Sequence, residues 1–558
     1  MSEMVKKAPD YSKYTHQFDF YGYSGPSSGR RKVNGVEVPV GEDFRTVERY
    51  KEYKDVGMTI YLPQSDARIG VFGNYHGEIK MEDWDDDIWE NRRAEWKQNK
   101  VFWDRAYEAG LTKIIMADVQ IQRWSEVKHG VLLKPADVVI PDGEVSPYTF
   151  QSEEEFDDAI AKHLALYIDH PGFYGVMLAD EPGYACVEAY GQTYRAIKRV
   201  AKNVFKRDIF VQHNLLPMRG YCNGAYILFP LMEWFDDKEN TISPKEYYDL
   251  VGGVCADDVV SPKEKLQAIL AAELAAYNGD RPKLTSAKYE KYLESFALSM
   301  GSDYLQFDDY PVRGTQEDPS IIGVAIREMQ VAAKVAKKLG IKYYMVTQSY
   351  AITCNGRAEH RICSKEDCYW LNNTLLAFGV SQISYFTYFA KCSNAVEHYT
   401  LSDGSFITRD GKKTPIYDYY KQIMAENQKF APTYLNFKCE GGRIFNAPNP
   451  QYTDGYLFGE WVDDSYQFIH LLGVDVDKES VLVTELYDQA NDNYMYCVQN
   501  IVDAARKGVL QATTLTFDSA KYQYAAVYRN GERTLCALND GKITLENVAG
   551  QAAFVIPY

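Results

Sequence analysis

The chain has 558 residues, 46% of them hydrophobic and 25% charged, and Lys+Arg 61 against Asp+Glu 78 gives a formal net charge of −17. That composition is ordinary for a globular protein and excludes disorder, collagen and coiled coil as the main state, and so acidic a chain argues against nucleic acid and anionic membrane as partners. The 45 tyrosines are the outlier; each pairs an apolar ring with a polar tip, which suits hydrated ring-shaped ligands such as sugars.

Apolar strand-like runs alternate with helical patterns from about residue 18 to about residue 430. The predicted strands are Phe18–Tyr23, Met58–Gln64, Lys113–Gln120, Phe173–Glu181, Ile209–Asn214, Asp303–Pro311, Lys342–Ser349 and Gln382–Phe389. Predicted helices are Phe44–Val56, Ile88–Ala109, Glu153–Ile168, Tyr190–Phe205, Tyr289–Met300, Ile322–Leu339, Ser364–Phe378 and Tyr417–Gln428. Several stop at glycine, such as Gly57, Gly110, Gly340 and Gly379, the usual left-handed helix end. Ser152, with Glu155 three residues on, reads as a capping box. Strict alternation predicts an α/β fold, a (β/α)₈ TIM barrel over residues 1–438. No glycine-rich phosphate turn follows the first strand, as a dinucleotide-binding open sheet would need. A long stretch from about 217 to 302, with its own helical pattern at Lys263–Tyr277, reads as an insertion on the active-site face.

From 439 to 558 the texture changes to short alternating runs broken by Asn-Gly and Asp-Gly turns. This predicts an all-β sandwich domain, expected as support rather than as a sugar-binding module. The ten cysteines are scattered with no CxxC pair and read as reduced thiols. No run approaches the roughly 20 apolar residues of a membrane span, and no apolar stretch follows Lys6 and Lys7. A cytoplasmic location is expected, although a mature chain stripped of its leader would read the same.

Catalytic groups of such barrels stand at the C-terminal ends of the strands. The fourth ends Ala179-Asp180-Glu181-Pro182. Alternation puts Gly175, Met177, Ala179 and Glu181 on one face and Asp180 on the other. Glu181 is therefore expected to point inward, its carboxyl raised by desolvation as a general acid requires. The sixth ends with Gln306, Asp308 and Tyr310 expected to face the axis, Asp308 as a second carboxylate and Tyr310 as a sugar contact. His213 and Asn214 end the fifth strand, and Gln348 near the end of the seventh could orient a hydroxyl. Trp124, Trp234, Tyr385, Tyr388 and Phe389 are candidate stacking platforms. The loop after the seventh strand carries Cys354, Glu359, His360, Cys363 and Cys368; its spacing fits no zinc pattern, so no metal is expected, and Glu359 is a further candidate carboxylate. No P-loop, GxSxG elbow or HExxH occurs, and no cofactor is called for.

The segment HPGFYGVMLADEPG resembles the fourth-strand segment of barrel glycoside hydrolases. YEKYLESFALSMGSDYLQFDDYPV, LLAFGVSQISYFTYF and DGSFITRDGKKTPIYDYYKQIMAENQKFAP resemble further segments of the same bacterial proteins, and the tail YRNGERTLCALNDGKITLENVAGQAAFVIPY is similar to their C-terminal β-domain. The chain thus resembles the clan A, β-galactosidase-like glycosidases of carbohydrate-degrading bacteria. The resemblance implies a glycosidase with Glu181 as acid/base and a nucleophile Glu on the seventh strand, where this chain has Gln348. Another carboxylate then serves, or the mechanism differs, or catalysis is lost.

The reading that follows is a glycoside hydrolase acting on small oligosaccharides or glycoconjugates, with Glu181 as general acid and Asp308, then Glu359, as second carboxylate. Asp180-Glu181 also resembles the Asp-Glu pair of substrate-assisted N-acetylhexosaminidases. A non-catalytic carbohydrate-binding barrel is the third alternative. The expected partner is a carbohydrate, and the resemblance also allows a homo-oligomer. Glu181, His213, Asp308 and Gln348 are expected to line one pocket.

Overall fold

The computed structural model describes residues 8–28, 30–33, 36–39, 42–63, 86–127, 132–133, 150–218, 274–314, 319–321, 324–354, 357–390, 399–402, 404–446, 465–505 and 508–558. It is mixed α/β, with parallel strands followed by a C-terminal antiparallel region. In chain order the parallel strands are β1 (Asp19–Gly22), β2 (Ile114–Met116), β3 (Phe173–Asp180), β4 (Phe210–Asn214), β5 (Tyr304–Asp309), β6 (Lys342–Gln348) and β7 (Gln382–Phe386). The main helices are α1 (Val47–Asp55), α2 (Asp86–Glu108), α3 (Val119–Ser125), α4 (Glu153–Ala165), α5 (Val187–Asn203), α6 (Arg281–Met300), α7 (Val324–Leu339), α8 (Lys365–Ala377) and α9 (Pro415–Tyr434). The chain divides into two compact units: residues 61–308, and residues 1–60 with 309–558.

In the 61–308 unit, β2, β3 and β4 pair in parallel. Parallel bridges extend this arc to Tyr61 on one side and, through Leu215 and Phe307, to β5 on the other. The predicted second strand is thus reduced to a bridge at Tyr61. The predicted third strand is also cut short. Asp118 accepts the Gln120 and Ile121 N–H groups and starts α3 where an extended run through Gln120 was expected. Ser152 caps α4 as its spacing predicts, while the Glu155 carboxylate reaches back to the Gln151 N–H. Helix α6 begins eight residues before its predicted start at Tyr289, because Asp280 caps it and Pro282 fits its first turn. Of the predicted helix Lys263–Tyr277, residues 263–273 lie outside the described residues, as does most of the expected insertion, while residues 274–276 are helical.

Strands β3 and β4 lie so close that a Cβ on Gly175 would stand 1.9 Å from the Phe210 carbonyl oxygen. Only glycine permits that approach. Beneath the strands Asp118 is a buried charge hub. His163 Nδ1 lies 2.9 Å from its Oδ2, the Tyr167 hydroxyl donates to Oδ2 at 3.1 Å, and Arg92 stands 3.7 Å from Oδ1. Burial pushes the Asp118 carboxyl up, but His163 and Arg92 outweigh it and hold the carboxyl below the ordinary carboxylate range.

In the second unit, β7 pairs in parallel with β1 on one side and with β6 on the other. The C-terminal part begins at β8 (Lys438–Phe445), one residue before the predicted boundary, and continues with β9 (Leu471–Val476), β10 (Val481–Asp488), β11 (Asn493–Asn500), β12 (Leu510–Phe517), β13 (Tyr524–Arg529), β14 (Glu532–Ala537), β15 (Lys542–Val548) and β16 (Ala552–Pro557). One sheet runs β8-β10-β11-β16-β13-β14 and the other β9-β12-β15. Val483, Tyr496 and Val555 of the first sheet share a core with Leu515, Phe517 and Leu545 of the second, as in a sandwich. Along β15 the buried Ile543 and Leu545 alternate with the exposed Lys542, Thr544 and Glu546, the period-2 pattern legible in the sequence. Asn530-Gly531 and Asp540-Gly541 take the paired positive φ angles that tight hairpin turns need.

The sandwich is docked through buried polar contacts. Arg361 Nη2 lies 2.7 Å from both Asp367 of α8 and Asp503 of the sandwich. Trp370 Nε1 donates to the Ile501 carbonyl at 3.2 Å, and Thr484 Oγ1 donates to the Ala377 carbonyl at 2.6 Å. Among the described residues, no helix is long and apolar enough to cross a membrane.

Candidate functional site

The tip of β3 does not keep strict alternation. Met177 pairs with Gln212, and the next pair in register is Asp180 with Asn214. Three steps along β3 are thus matched by two along β4, a one-residue bulge, and such a slip moves the following side chain to the other face. Asp180 therefore joins the face of Met177, Gln212 and Asn214 instead of the outer face that alternation predicts. Its Oδ1 accepts the Asn214 Nδ2–H at 3.0 Å, and its side chain stays open to solvent.

Glu181 follows in a left-handed conformation, φ 51°. A non-glycine residue there is uncommon and costs about 1 kcal/mol or more. Two contacts hold it in place. Its N–H donates to the Asn214 carbonyl at 2.9 Å, and the next carbonyl, of Pro182, accepts the Tyr292 hydroxyl at 2.8 Å. The Glu181 side chain is exposed rather than buried over an apolar barrel.

On β5, Phe307 packs edge-on against Tyr289 of α6, which leaves Gln306 and Asp308 on the opposite face, as alternation predicts. Asp308 is 3% exposed. The fully buried Tyr292 feels the charges of both Glu181 and Asp308, so the two carboxylates lie within electrostatic reach of one hydroxyl. Tyr292 also accepts the Leu216 N–H at 3.1 Å. It thereby ties the turn after β3 to the segment after β4.

Two further groups at this tip escape the sequence reading. Burial, with the Asp180 charge adding, raises the Glu126 carboxyl above its ordinary range, although part of the side chain reaches solvent. Tyr190 of α5 donates to the Ala179 carbonyl at 2.7 Å. Tyr190 and Tyr292 follow helix periodicity like any core tyrosine, and Glu126 lies beyond the predicted strand end, so only the three-dimensional arrangement singles them out.

Several predicted site residues lie elsewhere. His213 alternates away from Asn214. Its ring stacks on Tyr304 at 4.2 Å and meets Tyr194 of α5 edge-on, so it belongs to the strand–helix packing. Neither ring nitrogen has a hydrogen-bond partner among the described residues. Burial lowers its pKa to about 3. Trp124 is no stacking platform: it is fully buried on α3, edge-on to Phe150, Phe156 and His163. Trp234 lies outside the described residues.

In the second unit, Gln348 is spent on the backbone. Its Oε1 accepts the Val312 N–H at 2.9 Å, and its Nε2 donates to the Val312 and Tyr350 carbonyls at 3.0 and 3.2 Å. The side chain is 0% exposed, so it offers no amide to a substrate. Tyr385 packs between Phe406 and Tyr420 of α9, Tyr388 against Tyr53 of α1, and Phe389 against Phe44; all three are core. The ring that takes the other face of β7 is Phe386, which clusters with Tyr310, Tyr350 and Tyr23. Alternation from Tyr385 could have found it. Glu359 lies on a hairpin strand, Arg357–His360, rather than in a loop, and its side chain is outside the described residues. Cys363 and Cys368 are buried free thiols. Among the described residues no three His, Cys, Asp or Glu side chains converge as metal ligands.

No protein-family model matches the chain, and no curated protein matches it. Solved structures do resemble it over most of its length. A glycoside hydrolase family 5 protein from Bacteroides vulgatus is 10% identical with a TM-score of 0.44, over 97% of this chain and 89% of that one. A GH27 β-L-arabinopyranosidase from Geobacillus stearothermophilus is 9% identical with a TM-score of 0.43, over 98% and 97%. An α-amylase from Geobacillus thermoleovorans is 12% identical with a TM-score of 0.41, over 97% and 98%. Identities of 12% and below assign neither a family nor an activity.

Proposed function

We propose that the protein is a glycoside hydrolase whose chemistry is centred on the tip of β3, with Glu181 as general acid. The observation that carries this reading is the construction of that tip. Asn214 fixes Asp180 through its side chain and Glu181 through its carbonyl, and both carboxylates remain open to solvent. An exposed acid held by its backbone is positioned to protonate a departing sugar oxygen, which is how glycosidases assist bond cleavage. Asp308 is the second carboxylate of this reading, supported by its electrostatic reach to the same Tyr292 hydroxyl.

The bulge favours a second reading. It brings Asp180 onto the face of Met177, where it stands directly before Glu181. In that reading Asp180 orients a 2-acetamido group, whose oxygen attacks the anomeric carbon while Glu181 protonates the leaving group. The absence of a carboxylate at position 348 is compatible with both readings. A panel of aryl galactosides, glucosides, xylosides and N-acetylhexosaminides tests them. Turnover of the hydroxyl sugars supports the Asp308 mechanism, turnover confined to the acetamido sugars supports Asp180, and no turnover of any member overturns the assignment.

A further inference from the structure

The sandwich carries a cleft of about 380 Å³ lined by the N-terminal residues Pro9–Tyr11, by His470, by the β10–β11 turn, and by Tyr494, Lys521, Tyr522 and Tyr558. We infer that this cleft is a binding site for a neutral sugar residue, separate from the chemistry at the β3 tip.

The walls are aromatic and held from behind. Tyr487, which does not line the cleft, stacks on Tyr494 with centroids 4.6 Å apart, and Tyr524 stacks on Tyr558 at 5.7 Å. His470 meets Tyr494 edge-on at 4.5 Å. Rings fixed in this way present a surface whose ordering cost has already been met by folding. An apolar ring face beside fixed polar groups matches a pyranose, which has apolar C–H faces and a polar rim.

The polar groups are fixed as well. Asn491 Nδ2 donates to Asp488 Oδ2 at 2.6 Å and to the Tyr14 hydroxyl at 3.0 Å, and Asn493 Nδ2 donates to the Tyr11 hydroxyl at 3.0 Å. Their amide nitrogens are thus engaged in the wall, which leaves the side-chain oxygens as acceptors. Asp492 is held by the Tyr487 hydroxyl at 3.1 Å. Lys521 contributes a donor, and Asp10 and Asp492 place two carboxylates in the same lining. Burial and the neighbouring Lys521 lower the His470 pKa, so its ring is neutral at neutral pH. With one lysine against two aspartates the lining does not favour an anion, and its aromatic rings and fixed polar groups suit a ligand rich in hydroxyl groups.

The inference does not rest on catalysis at Glu181, and the two fail separately. The test is saturation-transfer NMR on the full chain with D-galactose, D-glucose, D-xylose and N-acetyl-D-glucosamine as individual probes. At least one sugar is expected to bind, with affinity falling about tenfold in Tyr494→Ala and in Lys521→Ala, the loss of one good contact. Lys521 is exposed, so its variant keeps the proposal testable if Tyr494→Ala misfolds. No transfer to any of the four sugars, or equal binding in wild type and both variants, overturns the proposal. So does a signal that persists in Tyr494→Ala and disappears in Glu181→Gln.

Discussion

Asn214 holds Asp180 at 3.0 Å through its side chain and, through its own carbonyl, the N–H of the next residue in β3's turn. One residue of β4 thereby sets the geometry of two adjacent carboxylates. Asn214→Ala removes the side-chain bond and leaves the backbone bond in place. We expect activity to fall by about tenfold or more, the loss of one charge-assisted hydrogen bond, with a circular dichroism spectrum like that of the wild type. Wild-type kinetics in this variant would show that Asp180 needs no such support.

Glu181→Gln keeps the shape of the side chain and removes its proton. Turnover of substrates with poor leaving groups is expected to drop by about 10²–10⁴-fold. Activated aryl glycosides should lose less, because their leaving group needs little protonation. The exposed position makes a change in thermal midpoint small. A natural alkyl glycoside hydrolysed at the wild-type rate would remove Glu181 from the chemistry.

Asp308→Asn and Asp180→Asn separate the two mechanisms. If Asp308 is the second carboxylate, its variant is the more damaged on hydroxyl sugars. If Asp180 orients an acetamido group, Asp180→Asn loses most activity on N-acetylhexosaminides, and Asp308→Asn loses less. Steady-state kinetics on one substrate of each type decides between them.

His213 gives the fold an acid sensitivity of known sign. Its pKa is lowered to about 3 by burial, against about 6.5 in an unfolded chain. Between these values the unfolded state binds more protons, so stability falls as the pH drops from about 6.5 towards about 3. Above that window His213 has no effect. From pH 6.5 to pH 5 the expected loss is about 2 kcal/mol. In His213→Phe, thermal melts at pH 5 and pH 7.5 should lie closer together than in the wild type. An unchanged gap would mean that the imidazole is not buried in the neutral form.

Gln348 is expected to matter for stability rather than for turnover. Gln348→Ala leaves the Val312 N–H and the Val312 and Tyr350 carbonyls without their side-chain partner. A cost of about 1–3 kcal/mol follows, read as a thermal midpoint lowered by several degrees. Gln348→Glu should not raise glycosidase activity, because that position faces backbone rather than substrate. A gain of activity in Gln348→Glu would restore the seventh strand to the site.

Much of the architecture was legible in the sequence because it depends on local chemistry. Glycines after helical runs, the Ser152 cap, and Asn-Gly and Asp-Gly turns act over a few residues, and each appears where the pattern predicts it. The period-2 burial of β15 and the opposed faces of Phe307 and Asp308 are likewise carried by alternation alone. Alternation failed at the β3 tip, because a bulge is a relation between two strands. Nothing within Phe173–Glu181 announces that Met177 to Asp180 will be matched by only Gln212 to Asn214. The same limit governs Trp124, His213 and Gln348, whose residue types suit a binding site. Each is instead claimed by a neighbour distant in the chain: Phe150 and His163, Tyr304, and Val312. A side chain's chemistry is written in the sequence, but which partner uses it up depends on packing between segments far apart in the chain, and only the tertiary structure decides that.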